Sequence, residues 1–434
     1  LSRFKHYIKA HALLSFFSPA LGLYYAIRLG DKKYLRVFLL IFVTIYGSLF
    51  HTSFLGDGSR HWARVYDHYQ YLEFQVFWEE LIAIVSFKPL PSTNADVYIH
   101  LLSYFIGGVL NVPDLFFVCV AFVFAYFYSG TMVKLLSYVD WKSQYNKFYL
   151  LFFLMLFILW KAPGSMQTVR TWTGMYVLLY AVISYYETKR RKYLLLALTP
   201  PLIHVGFFAL AIPIWLVLFT GFRNPKVYFI IFLVSTLASN IVNQESLKQN
   251  LSQTELGASK VNAYHVDDER ADIRQEQVEN IAKKERFYKD FERNKIHHHV
   301  LTFIIIFIFL ILSNRHFGDI EKTLFSYGLA MASFSNFLTS IYAVHNRGWQ
   351  IAGFLILALM VIFLSKNNLK SFKFSTLKIK LPLSLAVILM TPYLLFLLSD
   401  FIYKTSVYVA FMPIFSWINP DMAINIRGFI DLFI

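Results

Sequence analysis

A chain of 434 residues that is 57% hydrophobic and 19% aromatic but only 15% charged is far more apolar than a soluble domain of its length, and reads as an all-α polytopic membrane protein. Its net charge of +15 does not point to nucleic acid, because Lys and Arg cluster in short turns between apolar runs, where they meet anionic lipid. The single cysteine, Cys119, excludes a disulfide framework and a thiolate metal site.

In chain order, the first apolar run, Ala12–Leu29, has no small-residue cleavage site and is expected to stay as a membrane helix. Further spans are expected over Arg36–Leu55, Leu115–Leu135, Lys147–Pro163, Thr171–Tyr186, Val227–Asn243, Val300–Leu312, Lys322–Ala343, Gly348–Leu364 and Leu381–Ser399. Leu194–Phe219 and the tail after Asp400 are ambiguous, so the expected total is roughly 11–14 membrane elements. The expected organisation is one integral membrane domain over 1–434, with an amphipathic segment at 56–96 and a hydrophilic helical loop at 244–299.

The basic turns Lys32-Lys33-Arg36, Lys142–Lys147, Lys189–Lys192, Arg223–Lys226 and Lys366–Lys380 all belong on the cytoplasmic side. They share it only if Leu194–Phe219 enters and leaves from one side, and Thr199-Pro200-Pro201 supplies the break that such a path needs. His204 then sits near its apex. A full span through Leu194–Phe219 is the competing reading. In the preferred topology Gly56–Ala95, Gly164–Val169, Gln244–His299 and His345-Asn346-Arg347 face outward.

In the first of these, Asp57, His61, Arg64 and His68 recur at helical spacing while Trp62, Tyr66, Tyr69 and Val76 occupy another face, as in an interfacial helix with its apolar side down. Asp267–Asn294 interleaves acids and bases without Gly or Pro, which suggests solvated helices capping a cavity. Three consecutive histidines, His297-His298-His299, cannot share a helical face, and no metal site is expected from them.

An unpaired arginine in a membrane segment costs about 2.5–3.5 kcal/mol, so it needs a partner, an aqueous cavity or an anionic ligand. Arg170 shares a stripe with Gln167, Thr171 and Gly174, which reads as a polar, sterically open face. Arg347 reads as opening its helix, with Gln350 one turn later. Both are expected at helix starts, where N–H groups and the helix dipole favour an anion; snorkelling to headgroups is the bland alternative. His204, in an apolar run, is either a packing residue or a base. No GxSxG, P-loop, zinc-helix or dinucleotide fingerprint is present, nor a DxD-like acidic pair.

Gly56-Asp57 with Tyr66 after the second span, Arg170 followed by a span, a basic turn and His204, and Arg347 with Trp349 and Phe354 at a late span resemble the polysaccharide polymerases of the EpsG and Wzy type. The acidic motif GDGSRHWARVY is richer in basic residues than the family pattern, and Val-Gly follows the histidine in place of a hydroxyl residue. The resemblance implies a GT-C-like, multi-pass glycosyltransferase of the bacterial inner membrane with its active site and the 244–299 loop facing the periplasm. It implies an undecaprenyl-diphosphate-linked glycan donor and a lipid-linked repeat unit as acceptor, with no cofactor or metal. A chain-length regulator and membrane lipids are the other implied partners. On this resemblance His204 or Asp57 would be the base, Arg170 and Arg347 would hold the leaving diphosphate, and Arg60 and Arg64 the second diphosphate or acceptor. An O-antigen ligase would share the donor chemistry. A lipid-linked oligosaccharide flippase is the rival from another class, and the chain lacks the repeated halves such a transporter carries.

Overall fold

Apolar runs that satisfy every backbone group internally fold as helices, and the computed structural model is built from them. It describes residues 11, 13–49, 57–88, 96–142, 145–239, 291–292, 294–312, 317–339, 341–368, 376–410, 412–418, 424–431 and 433. Most of the expected loop at 244–299, including Gln244 and the acid–base run from Asp267, lies outside the described residues. Among the described residues there is no strand, only an isolated bridge between Ser406 and Asn425.

The helices are α1 (Pro19–Leu29), α2 (Lys32–Leu49), α3 (Asp57–Asp67), α4 (Phe74–Val85) and α5 (Val97–Tyr104), the last continuing as a π-helical turn through Val109. Next come α6 (Phe116–Leu136), α7 (Lys147–Trp160), a 3-10 segment at Pro163–Thr168, α8 (Thr171–Thr188) and α9 (Arg191–Ala197). The Pro-Pro break yields two single turns, α10 (Pro200–Ile203) and α11 (Phe207–Leu210), before α12 (Ile212–Thr220) and α13 (Pro225–Ala238). The remainder is α14 (Ile296–Leu312), α15 (Asp319–Phe337), α16 (Tyr342–Lys366), α17 (Thr376–Lys404), α18 (Pro413–Ile418) and α19 (Ile426–Asp431).

Among the described residues four stretches, Pro113–Leu136, Lys147–Thr168, Tyr342–Lys366 and Ile379–Lys404, are helices long and apolar enough to cross a membrane, so the chain is an all-α membrane protein. Within the expected spans at 36–55, 171–186 and 322–343 the described residues include α2 (to Leu49), α8 and α15 (to Phe337), whose Tyr, Ser, Thr and charged residues make them less apolar.

Two compact units divide the chain: 1–139 with 161–211 and 399–434, and 140–160 with 212–398. In the first, α2 packs on α6, α6 on α8, and α8 on α9 and α10. Val65, Ile99, Ile106, Phe116, Val120 and Val169 form one of its fully buried clusters. At one end Lys134 pairs with Glu187, beside the basic turn 189–192. In the second unit α15 packs on α16 and α13, while α7 and α14 pack on α16. Asn336 ties three helices together, donating to Ser235 (3.3 Å) and Thr236 (3.0 Å) and accepting from Trp349 Nε1 (3.1 Å).

The amphipathic segment differs from its expected form. It breaks at His68 into α3, a 3-10 turn at Tyr69–Tyr71 and α4, and the inward face of α3 is Gly58, His61 and Val65 while Trp62 is exposed. Packing against protein has taken His61 out of the polar stripe: its face is the one that meets the segment preceding Arg170, and a Cβ at Gly58 would lie 2.9 Å from the Gln167 carbonyl.

Candidate functional site

The site lies in the first unit and starts from a turn. The 3-10 segment ends at Val169, whose φ of 58° is a conformation that a β-branched residue adopts only under strain. Burial holds it there, because Val169 is fully enclosed among Val65, Ile99, Phe116 and Val120. Its N–H donates to the Met166 carbonyl at 2.7 Å, and its own carbonyl accepts the Thr173 hydroxyl at 2.7 Å. This turn delivers Arg170 as the residue immediately preceding α8.

His204 arrives by another route. α10 ends after one turn, and His204 takes an extended conformation (φ −151°, ψ 120°) before the chain turns into α11. Phe207, in the first turn of α11, then covers Gly174 on α8, where an added Cβ would meet the ring at 2.6 Å. Gly174 therefore permits the His204 segment to approach α8, and the open face read around it is filled by an aromatic ring.

Asp96 joins the two. It stands immediately before α5, and its side chain is completely buried. Oδ2 pairs with Arg170 Nη1; Oδ1 lies 3.3 Å from His204 Nδ1 and accepts the Val205 N–H at 2.6 Å. Burial by itself would favour the neutral acid. The His204 hydrogen bond, the Arg170 guanidinium and the Val205 amide outweigh burial and hold the carboxyl well below the usual carboxylate range.

This constellation can orient an imidazole: with Nδ1 turned to a carboxylate, Nε2 becomes the nitrogen that accepts a proton. It also fixes a cation beside that base. Only Nη1 of Arg170 is engaged by Asp96, and the arginine side chain is 21% exposed, so the guanidinium keeps further donors for a ligand. Lys161 adds a second positive group nearby in the chain, its Nζ 4.0 Å from the Trp172 ring centroid on the first turn of α8.

The other expected residues are placed differently. Arg60 and Arg64 occupy the exposed side of α3, and Asp57 begins that helix with its side chain outside the described residues. Tyr66 donates to Asp114, and burial together with that carboxylate pushes its phenol up to about 12, so it stays protonated near neutrality. Arg347 belongs to the second unit and does not open its helix: α16 begins at Tyr342, because Tyr342–His345 continue the helical ladder without Gly or Pro. Its N–H is not among the free donors of a first turn, so the helix dipole does not favour an anion at this residue.

Around Arg347 the second unit collects imidazoles and indoles. His297 Nε2 lies 3.1 Å from Gln350 Nε2, His298 stacks on Trp349 with ring centroids 5.3 Å apart, and His345 Nδ1 lies 2.8 Å from the Ser335 carbonyl. His297 and His298 are both buried. Among the described residues no group of three His, Cys, Asp or Glu has metal-binding geometry.

Asp96 is the residue that sequence reasoning missed. Its one signal was position, an acid standing directly before the apolar run Val97–Leu110, where a charge entering apolar surroundings requires a partner. No family model, curated protein or solved structure matches the chain.

Proposed function

We propose that the chain is a metal-independent glycosyltransferase that polymerises a polysaccharide such as O-antigen, moving a growing glycan from undecaprenyl diphosphate onto a lipid-linked repeat unit at the periplasmic face of the bacterial inner membrane. The observation that carries this reading is the buried Asp96 carboxylate held between Arg170 and His204. It supports a carboxylate-oriented base and a cation side by side, the pair that a glycosyl transfer from a lipid diphosphate calls on. The acceptor hydroxyl oxygen attacks the anomeric carbon and gives its proton to His204 Nε2. The bond from that carbon to the diphosphate oxygen breaks, and the diphosphate leaves with the electron pair and the negative charge. Arg170 stabilises that charge through its further donors. Asp96 acts through His204 and Arg170 as a positioning residue. We assign Arg347 a phosphate contact within its own unit, and Arg60 and Arg64 contacts with the acceptor lipid.

The test is reconstitution of the full chain in liposomes with lipid-linked repeat units, without added metal or nucleotide, and sizing of the lipid-linked glycan. A ladder spaced by one repeat, reduced by a factor on the order of 10²–10⁴ in Asp96→Asn, is the expected result. Movement of substrate between leaflets without a ladder makes the chain a transporter. Transfer only to a lipid A core makes it a ligase.

A further inference from the structure

In the second unit, the turn between α12 and α13 and the start of α15 line an open, surface-facing cavity of about 470 Å³. Gly221, at φ 64°, lets the chain leave α12 sharply, and the Asn224 side chain caps α13 by accepting the Lys226 N–H at 3.1 Å. Arg223, Lys226 and Lys322 line the cavity together with Phe222 and Phe317, and no acidic residue lines it among the described residues. The acids closest in sequence are Asp319, exposed on the first turn of α15, and Glu321, whose carboxylate accepts the Gly318 N–H and lies 3.8 Å from Lys366 Nζ. Lys226 and Lys322 are both exposed and form no ion pair among the described residues.

The surface that continues from this cavity is apolar. Along α13 the inward side is Phe229, Phe232 and Ser235, whereas Val227, Ile230, Ile231, Val234 and Leu237 are exposed. Fourteen residues of helix give this face a length of about 21 Å. A basic hollow at the polar end of an exposed apolar ridge matches one ligand shape, an anionic head on hydrocarbon tails.

We propose that this cavity is a binding site for an anionic phospholipid: the phosphate sits among Arg223, Lys226 and Lys322, and the acyl chains lie along the outer face of α13. Charge complementarity selects the headgroup, and the continuity of the apolar ridge with the hollow distinguishes a lipid from a free anion. The site is separate from the proposed glycosyl transfer and stands whether or not that reading holds.

The test uses the purified full chain in mild detergent, titrated with phosphatidylglycerol or phosphatidylcholine, with bound lipids counted by native mass spectrometry. The wild type is expected to retain phosphatidylglycerol preferentially. Near a membrane surface each basic residue contributes about a fivefold preference, so Lys226→Gln with Lys322→Gln should reduce the preference about 25-fold and leave phosphatidylcholine retention unchanged. Both lysines are exposed, and a thermal melt establishes that the variant is folded; if it is not, Lys322→Gln alone is expected to give the fivefold loss. Equal preference in the folded variant and the wild type overturns the proposal. So does displacement of the lipid by glycerol 3-phosphate or inorganic phosphate at equal concentration, which would identify a site for the free anion.

Discussion

Arg170 cannot be removed without consequence for Asp96. The carboxylate is fully buried, and without Arg170 it loses the cation on Oδ2 and keeps only the Oδ1 contacts to His204 and the Val205 amide; breaking a fully buried pair costs about 3–5 kcal/mol, an upper bound here because Arg170 is partly exposed. An inactive Arg170→Ala protein would therefore mix a lost phosphate contact with a damaged fold. The two separate in a cycle: Arg170→Ala should melt well below the wild type in detergent, whereas Arg170→Ala combined with Asp96→Ala should recover part of that loss and remain inactive in the polymer ladder. Recovery of activity in the double variant would exclude Arg170 from the chemistry. The pH dependence has a definite sign. Asp96 is held below its ordinary value of 3.8, so its contribution is complete above that value and disappears only as pH falls through the depressed folded value. The melting-temperature advantage of wild type over Asp96→Asn should persist at about pH 5 and narrow only in stronger acid.

At the scale of elements, the site depends on how closely two segments approach. Phe207 over Gly174 seats the chain that carries His204 against the helix that Arg170 precedes. Gly174→Ala places a methyl group where the ring now lies; overpacking of this kind costs about 1–3 kcal/mol, or drives the ring and the chain before it outward. The expected result is a lower melting temperature together with a weaker glycan ladder. An unchanged ladder would show that the position of His204 tolerates the shift. The break at Thr199-Pro200-Pro201 could be read from sequence, since proline's missing N–H and fixed φ act locally. The filled face around Gly174 could not, because an absent side chain says nothing of what enters its place.

For the whole molecule, the same division between local and distant information decides what was legible. The helices at 19–29, 116–136, 147–160, 171–188 and 342–366 follow from apolar runs that any window over the sequence detects. Arg170 and His204 stood out because a charge or an imidazole inside such a run needs an explanation. Asp96 is separated from them by 74 and 108 positions, and no periodicity links residues so far apart. The start of α16 was misread for a local reason: His345-Asn346-Arg347 looks like a polar turn, yet nothing in it prevents a helix from running through. That helix has a further implication for how the protein is made. Every residue from Gly348 to Ser365 is buried within the chain, so its apolar surface meets other side chains in the folded state. During biosynthesis the segment is inserted before its later neighbours exist, and its own residues must then satisfy the bilayer unaided. Its composition answers to two environments in succession, lipid first and protein afterwards. A polar residue that the finished packing would accommodate with a hydrogen bond can still fail at the earlier step.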